Sequence, residues 1–521
     1  MPPSGKARAV CPLSDKKHSY IMKKYVSIYH ANLNYAFLEP HKYEQVIRAS
    51  YETILDAHAA AGPAARFVFE ASGFTIDVMA EKCPDVIAKL RTLMESGQCE
   101  FMGAPYSHPI MANVPEEDGY WSCEFSQRSY EKHLGTRIES WWNPECTWMQ
   151  YVPRAFKKAG AKYLTLDFES YMNCNDKEYA WTEKNRATDI YWGGHMPWYD
   201  LDPDCAFLHR PFRDIVPGLH GFCRSDRVVG KYVSYFLGKI TLDDYLQNVK
   251  KWSGTQDKGA TIVIADDAEY CGTTGYYYVK YYRDYSRSFE VRPDAREKLD
   301  ALIAGLLELG EMATFKDACE TIEPVAEPFF VEDRYAWHRT YADCWGGTPE
   351  ARRFDPMVAE LRREYKENFQ RITEGTHAEQ FRDLVSKFWF HCTNSANSDG
   401  RWPPPPAEPC EFNRQWVLNE IAATRAVLDE LATATKDIPL PPKPEMDQLA
   451  DTPEYGLHFT DKDIADLPSL NFYELQHALY AAWRAFDHTH GETKEINKAR
   501  VLSIYDEYRR RGISHFHNPV L

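Results

Sequence analysis

Short apolar runs alternate with helically spaced apolar positions along the first part of this chain. Tyr25–Tyr29 (YVSIY) has the unbroken apolar character of a buried strand, and Phe67–Phe69, Cys99–Met102, Arg137–Trp142, Tyr163–Leu166 and Thr261–Ala265 (TIVIA) repeat it. Between them, Tyr43, Ile47, Tyr51, Ile54 and Leu55 recur at helical spacing. Asp85–Ser96, Pro115–Leu134 and Pro153–Ala159 read as further helices, the last closed by Gly160. This alternation predicts an α/β fold with a parallel sheet, open or closed into a barrel. Active sites in such folds are built by loops leaving the carboxyl ends of strands. Just past successive strands stand His30, Glu70, the segment Gly103–His108, Glu145, Asp167 and the cluster Asp266–Glu269, so chemically able residues fall where a barrel's mouth would be.

From about residue 331 the pattern changes. Arg352–Thr373, Ala378–Phe390 and Arg414–Thr433 read as long amphipathic helices, punctuated by Pro403–Pro406 and Pro439–Pro444, and a last helical pair spans Leu470–Arg484 and Thr493–Arg511. The expected organisation is a disordered start (1–24), a catalytic barrel (25–330) and an α-helical C-terminal domain (331–521). Glu169 to His220 has little regular patterning and reads as an excursion over the active-site face, carrying Trp181, Trp192, His195 and Trp198.

Composition narrows the function. A formal net charge of −16 argues against nucleic acid or an anionic membrane as partner and leaves a neutral substrate untouched. Aromatic residues make up 14% of the chain; they suit sugar stacking, although filling a large core is the ordinary role of any one of them. Thirteen cysteines without a CxxC pair argue against a disulfide framework or a zinc knuckle. With no apolar leader, no apolar stretch of membrane-spanning length and no N-x-Ser/Thr site, the expectation is a cytoplasmic protein.

Two carboxylate motifs carry the chemistry. In Trp142-Asn143-Pro144-Glu145-Cys146 a glutamate leaves an aromatic strand end through a Pro-restricted loop; it is placed for nucleophilic attack, or is simply a solvated loop residue. In Ala265-Asp266-Asp267-Ala268-Glu269-Tyr270-Cys271-Gly272 three carboxylates follow an apolar strand. Crowded like charges favour keeping one carboxyl protonated. Glycoside hydrolysis needs one ionised and one protonated carboxyl. A metal-binding acidic loop or plain surface charge are the other readings.

Together these motifs resemble glycoside hydrolase family 57, a family of α-glucan-active enzymes. Its nucleophile motif, Trp-x-Pro-Glu often followed by Cys, matches Trp142–Cys146, and its acid/base motif, Asp-x-Glu-x-Phe-Gly, matches Asp267–Gly272 with Cys271 in place of Phe. Gly97–Phe101 with Tyr106–Ile110 resembles the second motif, whose histidine faces the sugar, and His30-Ala31-Asn32 resembles the first, with Asn32 replacing the usual Pro or His. Phe388-Trp389-Phe390 and Asn394–Ser398 resemble the fifth, which supplies an aromatic to the cleft. The resemblance covers roughly residues 25–400. It implies a (β/α)₇ barrel, a retaining mechanism without a cofactor, Glu145 as nucleophile and Asp267 as acid/base. It further implies a cleft lined by His30, Asn32, His108, Trp142, Trp148 and Trp389, to which the strand-end positions add Glu70, Asp167 and Glu269, with an α-glucan or maltooligosaccharide as substrate. The expected activity is amylase-type hydrolysis, with 4-α-glucanotransfer as runner-up. A branching enzyme fits less well, because His30–Tyr35 departs from that subgroup's His-x-His-x-Pro-Tyr. Two readings of other classes remain open: a metal-dependent hydrolase using His30, Asp167 and His108, and a glucan-binding protein with a spent site.

Overall fold

The protein's structure, a computed structural model, describes residues 23–175, 202–254, 259–401 and 410–441 apart from 332, 334, 338, 339, 347 and 376, together with 467–469, 482 and 491–510. The expected disordered start therefore lies outside the described residues except for Lys23 and Lys24, and so do Trp181, Trp192, His195, Trp198 and most of the predicted helix Leu470–Arg484.

Among the described residues, nine strands form one curled sheet: β1 (Lys24–Ala31), β2 (Phe67–Ser72), β3 (Cys99–Ala104), β4 (Ser140–Trp141), β5 (Tyr163–Asp167), β6 (Phe212–Val216), β7 (Leu219–Arg224), β8 (Ala260–Asp267) and β9 (Glu311–Ala313). Their order is β6-β7-β5-β4-β3-β2-β1-β8, with β9 paired to the first half of β1. Eight of them run parallel, the contiguous seven from β8 through β1 to β5 and β7 and also β9 beside β1; β6 is antiparallel to β7. Helices connect successive parallel strands, as parallel pairing demands. The result is a curled half-barrel of seven parallel strands. Both faces are covered, so β1, β2 and β5 are buried along almost their whole length.

Three differences from the sequence reading have identifiable causes. The expected strand Arg137–Trp142 shrinks to Ser140–Trp141 because the Gln127 side chain takes both backbone groups of Ile138, donating to its O at 2.8 Å and accepting from its N at 2.8 Å. The irregular stretch before His220 is not wholly an excursion: β6 and β7 form a hairpin, and β7 continues the barrel wall beside β5. Its sequence, LHGFCR, hides a buried strand behind polar letters. The long helix expected from Arg352 to Thr373 starts at Pro349, behind the Thr348 cap, and breaks at Phe369 before a last turn Gln370–Thr373.

Helices Pro349–Asn368, Ala378–Asn394 and Glu411–Thr435 form a second core around Phe354, Tyr365, Phe388, Trp389 and Leu428. It packs on the barrel helix Glu116–Leu134, where buried Asp118 accepts from Arg362 at 2.5 Å. No helix among the described residues is long and apolar enough to cross a membrane.

The segment following β1 explains how the loop after β8 is held. Helix Tyr43–Val46 passes through a π-helical turn, Ile47–Glu52, into Thr53–Ala61. π-turns of this kind are rare and concentrate at functional sites. The wide turn offers its Ser50 hydroxyl to Glu269 O at 2.9 Å and accepts from Gly272 N at 3.1 Å. Gly272 presses so closely that a Cβ there would stand 1.9 Å from Ala49 O and 2.7 Å from Ser50 N. Backbone cannot yield as a flexible side chain can. Gly272→Ala is therefore expected to cost about 3 kcal/mol through overpacking, read as a clear drop in Tm; an unchanged melting curve would show that the turn gives way.

Candidate functional site

Parallel pairing sets the site's floor. In register, His30 lies opposite Glu70 on one side and Asp267 on the other. Side chains at equal levels of neighbouring strands share a face, so these three point together at the carboxyl end of the sheet. His30 Nδ1 makes a short contact with Glu70 Oε2, and His30 Nε2 stands 4.0 Å from Asp267 Oδ1. The alternation of β8 sends Asp266 into register with Tyr29 instead.

Two loops complete the floor. His108, in the loop after β3, lies with its ring 4.9 Å from that of His30 and its Nε2 3.9 Å from Glu70 Oε1. Trp142, directly after β4, stacks on the other side of His30 at 5.3 Å and 26°. Glu145 follows three residues later. It and Cys146 both adopt left-handed backbone (φ 55° and 46°), as does His108 (φ 53°). Non-glycine residues rarely take this conformation without surrounding structure imposing it, and such strain gathers at functional sites. Here the imposing structure is a short hairpin, Tyr335–Ala336 with Thr340–Tyr341: Trp337 N donates to Glu145 O and Trp148 N donates to Tyr335 O, each at 2.8 Å. Trp337 packs edge-on against Trp142 at 6.0 Å.

The charges are strongly perturbed. Burial alone would push His30 down, but the charge of Glu70 beside it, aided by Asp267 and Glu269, carries it up to about 10, so it is an imidazolium paired with Glu70. Burial and the His30 charge hold His108 well below the ordinary histidine value, hence neutral. Glu70 Oε1 and His108 Nε2 are buried and have no hydrogen-bond partner among the described residues. Glu269 is pushed up to about 8 by burial and by Asp267.

The expected cleft residues divide accordingly. Glu70, His108 and Trp142 surround His30, with Asp267 at its open edge. Asn32 and Glu269 turn inward: Asn32 N donates to Glu269 Oε1 at 2.8 Å, Asn32 Nδ2 donates to Asp399 Oδ2 at 3.2 Å, and Tyr51 donates to Glu269. They hold the loop after β1. Asp167 accepts from Ser170 N at 2.8 Å and pairs with buried Arg224 at 3.3 Å. Trp148 is buried against Phe329, and Trp389 belongs to the helical core with Trp121 and Tyr365. Among the described residues, those whose side chains approach closely enough to share a metal ion are His30, Glu70 and His108, with ligand atoms within 4.8 Å of one another; Asp167 is not among them.

Four residues at the site went unread in the sequence. The Tyr35 hydroxyl donates to Asp267 Oδ2 at 2.5 Å. Asp399, pushed up to about 7 by burial, accepts from Ala36 N at 2.8 Å and ties the same loop to the helical region. Half-buried Lys280 is lowered to about 8 by burial, against the pull of Asp267, Asp266 and Glu145. Arg224, placed 4.9 Å over the Trp337 ring, is surrounded by Asp167, Glu169 and Asp226. Tyr35 and Asp399 adjoin recognised motifs and were findable by position; Lys280 and Arg224 had no such signal.

Comparison with known proteins gives a consistent set of likenesses. The sequence model of the family described as Glycosyl hydrolase family 57 matches residues 15–325. The chain is 24% identical over 199 residues to an alpha-amylase of Pyrococcus abyssi, covering 37% of this chain and 28% of that protein. It is 26% identical over 174 residues to a 4-alpha-glucanotransferase of Thermococcus litoralis, covering 33% and 23%. These relatives are thus matched over less than a third of their own length. Among solved structures, a family 57 branching enzyme of Thermococcus kodakaraensis superposes with a TM-score of 0.60 at 12% identity, covering 81% of this chain and 92% of that one. An alpha-amylase of Thermotoga maritima gives 0.54 at 11%, covering 79% and 94%. At such identities the likeness is one of fold.

The cluster behind Trp337 sets a pH dependence. Burial, then the charges of Asp226 and Asp167, push Glu169 from 4.5 up to about 8. The folded protein therefore holds a proton that the unfolded chain releases above its ordinary value. The stability this proton provides is complete below about pH 4.5 and is lost as pH rises through 8. Glu169→Gln keeps an acceptor for the Ser225 hydroxyl (2.5 Å) and removes the titration. Relative to wild type, its Tm should rise between pH 5 and pH 8; calorimetry showing the same offset at both pH values would refute this.

Proposed function

The chain belongs to glycosyl hydrolase family 57, and from that premise we propose that it cleaves α-1,4-linked glucan by a retaining mechanism, with Glu145 as nucleophile and Asp267 as general acid/base. One observation carries the reading. Trp142, which leads into the strained Glu145 turn, stacks on His30, whose other nitrogen stands 4.0 Å from Asp267. Asp267 thus lies at the edge of the buried imidazolium, and the charges of Asp267 and Glu145, far apart in sequence, both reach Lys280.

Chemistry follows from that placement. Asp267, its Oδ2 engaged by the Tyr35 hydroxyl, gives its proton to the glycosidic oxygen while the Glu145 carboxylate attacks the anomeric carbon. The leaving chain departs with that proton and a glycosyl ester remains on Glu145. Asp267, now a carboxylate, takes a proton from water; the water oxygen attacks the anomeric carbon and frees Glu145. Retaining enzymes place the two carboxyl groups about 5–5.5 Å apart. The imidazolium of His30 is a fixed positive donor for a sugar hydroxyl, and Glu70 Oε1 and His108 Nε2 are buried polar atoms, without a hydrogen-bond partner among the described residues, that such hydroxyls would satisfy. A sugar hydroxyl as acceptor in place of water would make the enzyme a 4-α-glucanotransferase. Metal-assisted hydrolysis is the second reading, favoured by the proximity of His30, Glu70 and His108.

Mass spectrometry of maltoheptaose digests separates these. Shorter oligosaccharides alone are expected; products both shorter and longer would mean glucanotransfer. Glu145→Gln and Asp267→Asn should each lower kcat by about 10³-fold or more, with glucan affinity retained in Glu145→Gln, and chelator should change nothing. Loss of wild-type activity on chelation would replace the carboxylate pair with the metal reading. A wild type that leaves maltoheptaose intact would remove linear α-1,4-glucan as substrate.

A further inference from the structure

Beyond the buried site, the chain after Gly272 carries an unusual surface. The run Tyr276-Tyr277-Tyr278-Val279-Lys280-Tyr281-Tyr282-Arg283-Asp284-Tyr285 contains a short helix, Tyr277–Tyr282, closed by Arg283 in left-handed conformation (φ 54°). Tyr281, Tyr282 and Tyr285 are 60%, 65% and 48% exposed. Seven large hydrophobic residues are exposed among those described, and these three fall within five positions. Clustered apolar exposure of this kind marks a binding surface.

The cluster is joined to the candidate acid/base by an unbroken series of rings. Tyr35, which donates to Asp267, lies 5.3 Å from Tyr276; Tyr276 stacks on Phe37 at 6.5 Å and 15°; Phe37 meets Tyr285 at 5.7 Å. The inner rings are pinned. Arg287, itself bonded to Glu290 at 2.7 Å, sits 3.5 Å over Tyr278, and Lys239 sits 4.1 Å over Tyr277. Phe37 and Phe289, at the base of this ridge, both hold left-handed backbone (φ 65° and 54°), so the fold spends strain to place it. Lys280, on the same helix, sits 5.3 Å over the Tyr281 ring and 5.8 Å over that of Tyr276, within the electrostatic reach of Asp267 and Glu145.

We propose that Tyr281, Tyr282 and Tyr285 are outer subsites for an α-glucan chain whose scissile bond lies at Asp267, a proposal that rests on the glucan reading above. The chemistry favours that occupant. A tyrosine offers an apolar face for the C–H side of a sugar ring and a hydroxyl for its rim. The packed rings of Tyr35, Tyr276 and Phe37 fix where exposed Tyr285 stands relative to Asp267, so the ridge borders the candidate site.

The triple variant Tyr281→Ala/Tyr282→Ala/Tyr285→Ala tests this, since surface truncations seldom unfold a domain. KM should rise about tenfold or more for maltoheptaose, and far less for maltotriose. Phenylalanine at the three positions should restore most of the difference, because the stacking faces return. Equal losses on both substrates, or none, would overturn the proposal. If wild type hydrolyses no α-glucan, the functional reading fails by itself, and electrophoresis in glycogen-containing gel then decides the surface. Retardation of wild type that disappears in the triple alanine variant supports it; no retardation of wild type overturns it. Self-association of wild type that the triple alanine variant abolishes, without any effect on glucan, would assign the tyrosines to a second copy of the chain and overturn the proposal.

Discussion

Everything at the mouth of this half-barrel depends on the buried contact between His30 and Glu70. It joins two neighbouring strands at the same register level, and it fixes a positive charge between the acidic strand ends at Glu70 and Asp267. Paired buried charges are tolerable only when partner geometry and hydrogen bonding compensate desolvation. The compensation here is unequal. His30 is flanked by Glu70, Asp267 and Glu269, so its proton is held firmly, while His108, close to that charge, is kept neutral. One histidine pair thus presents a permanent donor beside a neutral ring, an asymmetry that neither residue would have in water.

Further carboxylates stand behind these residues and hold the loops around them. Glu269 and Asp399 spend their oxygens on the backbone of residues 32 and 36, and Asp167, Glu169 and Asp226 gather round Arg224 beneath Trp337. Burial raises Glu269, Asp399, Asp167 and Glu169. Their hydrogen bonds run to loops rather than outward. The net acidity of the chain, which in the sequence says only what it does not bind, is thus partly concentrated in the scaffold that aims the site.

Most of the barrel was legible because strands buried on both faces leave unbroken apolar runs, as in Tyr25–Tyr29 and Thr261–Ala265. β7 was not, because LHGFCR places a glycine and an arginine where a core strand ordinarily has aliphatics; Gly221 makes room for Leu166, and Arg224 finds its carboxylates only in three dimensions. Within the site, His30, Glu70 and Asp267 could be found from strand ends alone, since register follows from parallel pairing. Asn32 and Trp389 show the limit of motif reading. Position in a motif does not reveal whether a side chain faces a cleft or a neighbour, and both turn to neighbours. Lys280 and Trp337 approach the site from segments whose path no periodicity discloses.

The hairpin at Tyr335–Tyr341 has a consequence for how the protein comes into being. It lies after the last barrel strand, yet its backbone holds the turn at Glu145, and the loop after β1 waits for Asp399, further along still. During synthesis from the amino end, the seven strands emerge and can pair well before either clamp exists. A nascent chain at that stage has its walls but no fixed turn at Glu145, and it passes through the ribosome's vicinity with its chemistry unassembled.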